Sequence, residues 1–313
     1  MSEEKTVLSA SAAVTDGYKR GIVWQNLIVF ILLHATVVLA FFPMFFSWWC
    51  VLAVVVLWWI TGGLGVTLGY HRLLTHRSFQ TPKIVEYMLT LFGTLSWQGS
   101  PSRWVGTHRL HHAASDEPGD PHSPRDGFTW SHILWCVYND HPDRDPLKAA
   151  LDLKRDPIMR VIDNLWFVPQ AILGLALFFT GYMIGGWIGA WSWLIWGVAV
   201  RVVFIYHATW FVNSAAHSWG YRNFKTTDDS RNNWWVALIS FGEGWHNNHH
   251  AQQRSAAHGM RWWEFDMTYL TILAMEKLGL AWQVVRPKRP VGKPITIPSV
   301  PAFLPMTDGS QAS

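Results

Sequence analysis

Long apolar runs alternate with polar, histidine-bearing stretches along this chain. A membrane-spanning helix needs roughly 20 mainly apolar residues. Four runs approach that length, at about 24–42, 47–69, 165–182 and 188–210. They fall in two pairs. The link within each pair is short and uncharged, Pro43 to Ser47 and Met183 to Trp187, as expected of hairpin turns on the translocated side of a membrane. The basic flank before the first run, Lys19 and Arg20, places the N-terminus on the opposite, cytoplasmic side. Both termini and both long polar segments, 71–164 and 211–285, then share one face. The pattern predicts an all-α integral membrane protein, with four transmembrane helices in two hairpins under a cytoplasmic helical cap. Two shorter stretches, Lys83 to Trp97 and Trp234 to Phe241, cannot span and are expected at the membrane surface.

Composition agrees. Of 313 residues, half are apolar and 15% are charged, against roughly 25% charged in soluble domains. The 22 tryptophans suit membrane interfaces and apolar walls. A net charge of +4, with basic residues dispersed among acids, does not point to nucleic acid. Cys50 and Cys136 have no metal-ligand or redox spacing. Residues 1–22 form a polar segment without the apolar core of a signal peptide. The membrane domain is expected over 23–285, and the Pro-, Lys- and Arg-rich stretch 286–313 is expected to be a disordered tail.

Nine of the 15 histidines fall in four groups: His71 and His76 in H-R-L-L-T-H; His108, His111 and His112 in H-R-L-H-H; His217 ending N-S-A-A-H; and His246, His249 and His250 in H-N-N-H-H. Histidine is the commonest metal ligand. On a helix, i, i+3 and i+4 share a face, so each H-x-x-H-H can aim three imidazoles at one place. One such triplet alone is often a solvated helix face. Two triplets with a pair and a single exceed one ion's needs and match two. His71 and His76, five apart, share an α-helical face poorly, but both can still ligate if the helix frays or if each serves a different ion. Asn213, one turn before His217, is placed to hold a water on a metal. Without thiolates a structural zinc site is disfavoured, while imidazole suits Zn, Cu, Fe and Ni alike. The groups carry no carboxylate, unlike soluble di-iron bundles. All four lie on the predicted cytoplasmic side.

These motifs, in this order and separation, resemble the membrane fatty-acyl desaturases. The four residues between the first two histidines, together with N-S-A-A-H, resemble the delta-9 (stearoyl-type) branch, whose bacterial and plastid members act on acyl lipids. The stretches T-G-G-L-G-V-T-L-G-Y and D-P-H-S-P-R-D-G-F fit as well, so the resemblance covers about 62–250. It implies two iron ions held by the nine histidines. It also implies molecular oxygen, two electrons from a separate donor, and a cis double bond made in a saturated acyl chain. An unactivated methylene has no acidic proton, so side-chain acid–base chemistry cannot do this alone, and the cofactor must. The resemblance further places Gln98, Trp104 and Thr209 at the bend of an apolar substrate tunnel; wall packing is the plain alternative for each.

No H-P-G-G heme motif is present, only His141-Pro142-Asp143, so an appended cytochrome b5 domain is not expected and the electrons are expected from a separate protein. Gly106 and Thr107 stand where acyl-CoA relatives tend to carry charge. Both observations lean toward a lipid-linked acyl substrate rather than acyl-CoA, and toward ferredoxin rather than cytochrome b5, in a bacterial inner or thylakoid membrane. A membrane hydroxylase of the same superfamily is the nearest rival. A heme cytochrome would need facing histidines within the spans, and only His34 and His207 qualify. A metal transporter would need ligands along the crossing path. Outside the groups, His34 and His207 read as packing residues and His141 and His258 as surface residues. His122 and His132 are candidates to support the ligands. Arg201, inside a span, is a functional candidate by default, with pairing or snorkelling as the equal alternative.

Overall fold

The computed structural model describes residues 21–139 and 144–295. Residues 1–20, His141 and 296–313 lie outside them. The described chain is helical throughout: α1 Trp24–Val38, α2 Trp48–Trp58, α3 Lys83–Thr94, α4 Pro101–Ala113, α5 Phe128–His132, α6 Pro146–Ala149, α7 Pro157–Asn164, α8 Val168–Leu194, α9 Arg201–Asn213, α10 Ala215–Ser218, α11 Trp234–Ile239, α12 His246–Ala251 and α13 Met267–Lys277. Paired extended residues occur only as isolated bridges among the described residues.

Three helical stretches are apolar and long enough to cross a membrane: Trp24–Phe41, Trp48–Thr75 and Val168–Ser218. The first presents Ile28, Ile31 and Leu32 outward and buries Leu33 against Ala199, Val202, Tyr206 and Trp210. The second starts at Ser47, whose hydroxyl accepts from the Trp49 amide, a normal N-cap. The third is broken inside α8 at Gly185 and Gly186, where the backbone leaves helical geometry. Gly186 takes φ +60° there, a conformation that glycine adopts without strain. Around the break Gly181 abuts the Gly189 backbone, Gly197 meets Leu177, and Gly174 faces Leu194 and Val198. The two limbs therefore run antiparallel as a tight hairpin. The break falls inside the link expected from Met183 to Trp187.

Beyond Trp58 the second stretch widens. Trp59–Thr75 is a π-helix, with hydrogen bonds spanning five residues. The last of them joins the His76 amide to the His71 carbonyl at 3.1 Å. α3 crosses this segment closely, because Gly65 lets the Phe92–Gly93 backbone approach to where a Cβ would overlap it. The opposite face of α3 exposes Ile84, Met88 and Leu91, as an interfacial helix should. α11 likewise exposes Trp234 and Leu238.

Arg201 is fully buried and bonds to Gly197 O, Thr61 Oγ1, Leu95 O and Gln170 Oε1 at 2.6 to 3.0 Å. It neither snorkels nor meets a carboxylate. Its guanidinium instead ties the second stretch, the end of α3 and both limbs of the hairpin together. The tail expectation needs correction as well: residues 286–295 are ordered against the cap, with Arg222 and Ile295 exchanging both backbone hydrogen bonds.

α4 is seated by Gly106, where a Cβ would overlap the Pro146 carbonyl. Gly106→Val must push α4, and the three histidines on it, away from α6. Overpacking of this kind costs typically about 1–3 kcal/mol, and here the obstacle is backbone. Thermal unfolding in detergent micelles is expected to show a midpoint several degrees lower, with reduced metal content after reconstitution.

Candidate metal centre

All nine histidines of the four sequence groups converge, and they sort into two sets. His71, His76, His108, His112 and His249 form one; His111, His217, His246 and His250 form the other. Within each set the candidate ligand atoms lie within 4.8 Å of one another. α4 feeds both, because His108 and His112 are one turn apart while His111 points to the second set. α12 divides in the same way, with His249 in the first set and His246 and His250 in the second.

The expectation for the first motif was wrong in one respect. His71 and His76 serve the same set, their rings 4.7 Å apart, and no fraying is involved. The π-helix explains this, since a five-residue hydrogen-bond repeat stacks residues five apart on one face.

The Nε2 atoms face inward. His71 and His249 approach to 3.2 Å through Nε2, His108 and His112 to 3.0 Å, His112 and His249 to 2.8 Å, His246 and His250 to 3.0 Å, and His111 and His250 to 3.4 Å. The Nε2 atoms of His76 and His217 are buried without a partner among the described residues. Nitrogens bound about 2.0–2.1 Å from one ion stand about 2.9 Å apart at right angles and about 3.3 Å apart at tetrahedral angles. The spacing observed is that of a ligand shell, and the orphaned nitrogens are what an ion would satisfy.

Four carboxylates hold the far sides of the rings. His111 Nδ1 donates to Asp120 at 2.9 Å, His217 Nδ1 to Asp116 at 2.9 Å and His250 Nδ1 to Asp228 at 2.8 Å. His71 Nδ1 lies 2.7 Å from Glu243 Oε2. A proton fixed on Nδ1 leaves the Nε2 lone pair for a metal. Asp120 also accepts from the Asp116 and His122 amides. Burial works to raise the Asp116 carboxyl, but the charge and hydrogen bond of His217 outweigh it and bring it to about 2. For six of the nine, burial favours the neutral, ligating form. His76, His108, His112, His246 and His249 lie well below the ordinary range, and His250 is lowered to about 4 despite Asp228.

Sequence reasoning passed over this outer layer. His258 is not on the surface: it is fully buried, its Nδ1 lies 2.8 Å from Glu243, and its ring lies 4.4 Å from that of His249. Arg72 bonds both Glu243 and Asp266, at 3.1 and 3.0 Å. Asp116 and Asp120 shortly after the second motif, and Glu243 three residues before the last, were the available signal. Of the two support candidates, His122 lies beside His111, rings 4.4 Å apart and Nδ1 3.7 Å from Asp120. His132 stands elsewhere, bonded to Ser214 and to His207. His207 in turn meets His34, Nε2 to Nε2, at 3.2 Å. These two are thus links in a chain rather than plain packing, and their direct contact leaves no room for a heme iron between them.

An apolar cavity opens onto the centre. Trp58, Gly62, Val66, Ile205, Ala208 and Val212 line its sides, and His71, His108 and His246 line its inner end with Glu243. Trp104, Thr209 and Asn213 line it too. Gln98 sits behind the wall as a connector, accepting from Trp104 Nε1 at 2.9 Å and donating to Thr209 Oγ1 at 3.0 Å.

An all-histidine centre able to hold metal, beside an apolar cavity and on helices long enough to cross a membrane, is the arrangement of a membrane enzyme acting on a long apolar substrate. The fatty acid desaturase family model matches residues 46–284, and the chain belongs to that family. It is 49% identical over 87% of its length to an sn-1 stearoyl-lipid 9-desaturase of Anabaena variabilis, covering 97% of that protein. It is 45% identical over 84% of its length to an sn-2 palmitoyl-lipid 9-desaturase of Nostoc sp. (strain 36), covering 90% of it. An icosanoyl-CoA 5-desaturase of Limnanthes douglasii is 40% identical over 84% of the chain, with 72% of that protein covered. The chain is accordingly an oxidoreductase, a fatty-acyl desaturase.

Two outcomes are expected of the centre. Asp120→Asn and Asp228→Asn keep shape but lose the fixed Nδ1 proton, and each should weaken metal retention about 10- to 100-fold, measured by competition with a chelator. In metal-free protein, groups such as His250 and His258, held near 4 by burial against an ordinary 6.5, bind protons more readily when unfolded. Stability should then fall as pH drops from about 6.5 toward 4 and stay flat above that window, as read by denaturant titration at stepped pH.

Proposed function

We propose that the protein is an acyl-lipid delta-9 desaturase. It takes two electrons and molecular oxygen and sets a cis double bond in a lipid-linked saturated chain. The observation that carries the reading is the pair of histidine sets opening onto one apolar cavity. The lipid-linked 9-desaturases among its relatives support the substrate and position. His71, His76, His108, His112 and His249 would hold one iron, and His111, His217, His246 and His250 the other, with Asn213 placed for a water on the second. When bound, the irons supply the oxidising power that no side chain has. The residues themselves do the rest. Trp104 and Thr209 form the wall at which the chain bends, and Gln98 locks that wall. Glu243, Asp116, Asp120 and Asp228 orient the ligands. The buried, apolar cavity keeps water from the reacting carbons.

The same reading gives four crossings, with the hairpin at Gly185–Gly186 counted as two. The histidine-bearing cap and both termini then lie on the cytoplasmic face of a bacterial inner or thylakoid membrane. Electrons come from a separate carrier, ferredoxin before cytochrome b5.

Expression in a host lacking delta-9 desaturation is the direct test. Chemical location of the double bond, with head-group classes separated, should find 9-monounsaturated chains in membrane glycerolipids before they appear in the acyl-CoA pool. Hydroxylated chains alone, or unsaturation confined to acyl-CoA, would sink the reading.

A further inference from the structure

Residues 285–295 make a strap across the outside of the histidine centre. The Val285 amide donates to Ser78 O, two residues past His76, and Val285 O accepts from the Ala256 amide, both at 2.9 Å. The Gln252 side chain, two residues past His250, bonds the Lys288 backbone twice, at 2.7 and 2.8 Å. Arg261 reaches Gly292 O at 3.0 Å. The strap therefore lies over the segments that carry the first and last histidine motifs.

Its surface is one-signed. Stretch 286–295 contains Arg286, Lys288, Arg289 and Lys293 and no acid. Arg286 is bonded to Glu276, but Lys288, Arg289 and Lys293 are exposed, as is Arg254 nearby, and no carboxylate pairs with them among the described residues. Two large apolar side chains stand out beside these cations: Val291 is 98% exposed and Trp262 91%. Both flank the Arg261–Gly292 bond. An apolar centre with a charged rim is the anatomy of a protein-binding patch, and Trp is the residue most enriched at energetic hot spots.

We propose that this strap docks an acidic one-electron carrier protein. The inference rests on the desaturase reading, which needs outside electrons. The centre is buried, so a carrier cannot touch its ligands, but at the strap it stands one hydrogen-bonded contact, Gln252, from the helix bearing three of them. Each encounter oxidises the carrier by one electron. Two encounters and two protons balance the reduction of one dioxygen to two waters, while the acyl chain gives up two hydrogens. The bilayer is the less suited occupant. The strap is anchored at Ser78, past the end of the second apolar stretch, whereas the exposed large apolar side chains of that stretch run from Trp48 to Trp59. Long-range attraction between this ridge and an acidic partner would act mainly on the encounter rate and would fade with salt.

The test uses the full chain in phosphatidylcholine nanodiscs, with a [2Fe–2S] ferredoxin as the acidic carrier. Lys288→Glu/Arg289→Glu/Lys293→Glu and Trp262→Ala alter only exposed side chains. Each is expected to weaken ferredoxin binding about tenfold. Wild-type affinity should fall with added salt and that of the charge-reversed chain should not. Turnover driven by reduced ferredoxin should drop while turnover driven by dithionite is unchanged. Unaltered ferredoxin binding in both variants would overturn the proposal. So would an effect confined to nanodiscs with anionic lipid, which would assign the ridge to head groups. Salt-sensitive binding with no unsaturated product from either reductant leaves the docking surface standing and defeats the desaturase reading instead.

Discussion

An imidazole can give a lone pair to a metal only if its proton is kept on the other nitrogen. Much of this structure serves that constraint. Nine rings must turn Nε2 inward, so their Nδ1 atoms face the surrounding protein. Water there would let the tautomer and ring orientation wander. Buried carboxylates replace it: Asp116, Asp120, Asp228 and Glu243 each stand at one ligand's Nδ1. A buried carboxylate is itself costly unless bonded. Asp120 is therefore fed by two amides as well as by His111, and Glu243 by Arg72, whose other bonds go to Asp266 and Ala256 O. The carboxylates serve four of the nine rings, and each is held in turn because a buried polar group left unbonded is costly.

The backbone bends to the same end. An α-helix cannot stack His71 over His76, so the second apolar stretch changes its period to one that can. That widened helix is then gripped by α3 through Gly65, and α4 is held against α6 through Gly106. Glycine here sets distance between helices, and the distance sets where the histidines meet. Arg201 does comparable work deeper down, since neutral acceptors from three directions satisfy its guanidinium. Removing the charge would strand those acceptors, which makes the residue a structural tie.

This explains what was legible in the sequence and what was not. The histidine motifs are written in local spacing, and spacing on a helix is readable, so the ligand candidates and their convergence were apparent. The apolar runs were readable for the same reason, down to the glycine break near residue 185. His71 and His76 were misjudged because the argument assumed the α-helical period, and nothing local announces a π-helix. His258 was missed for a different reason. It stands alone in sequence, 15 residues from Glu243, and only the fold brings it to that carboxylate. The strap at 286–295 looked like a tail because its composition is poor in apolar residues; it is held by backbone hydrogen bonds, which leave no trace in composition.

The cavity shows how polar and apolar demands are reconciled at the point of reaction. An acyl chain needs a dry wall, yet a wall that moves cannot select one pair of carbons. Trp104 turns its ring toward the cavity and stacks near His108 at 5.3 Å, while its indole N–H points away to Gln98. Gln98 passes the bond on to Thr209 on the far helix. The hydrogen bonds thus run behind the wall, joining the approach to α4 with α9, and the surface shown to substrate stays largely apolar. Because α4 also carries histidines of both sets, the proposed bend and the proposed metal sites would share one rigid body. On the proposed reading, position along the chain would be set by the distance between Trp104 and the histidines of the same helix, which thermal motion of the cap as a whole does not change.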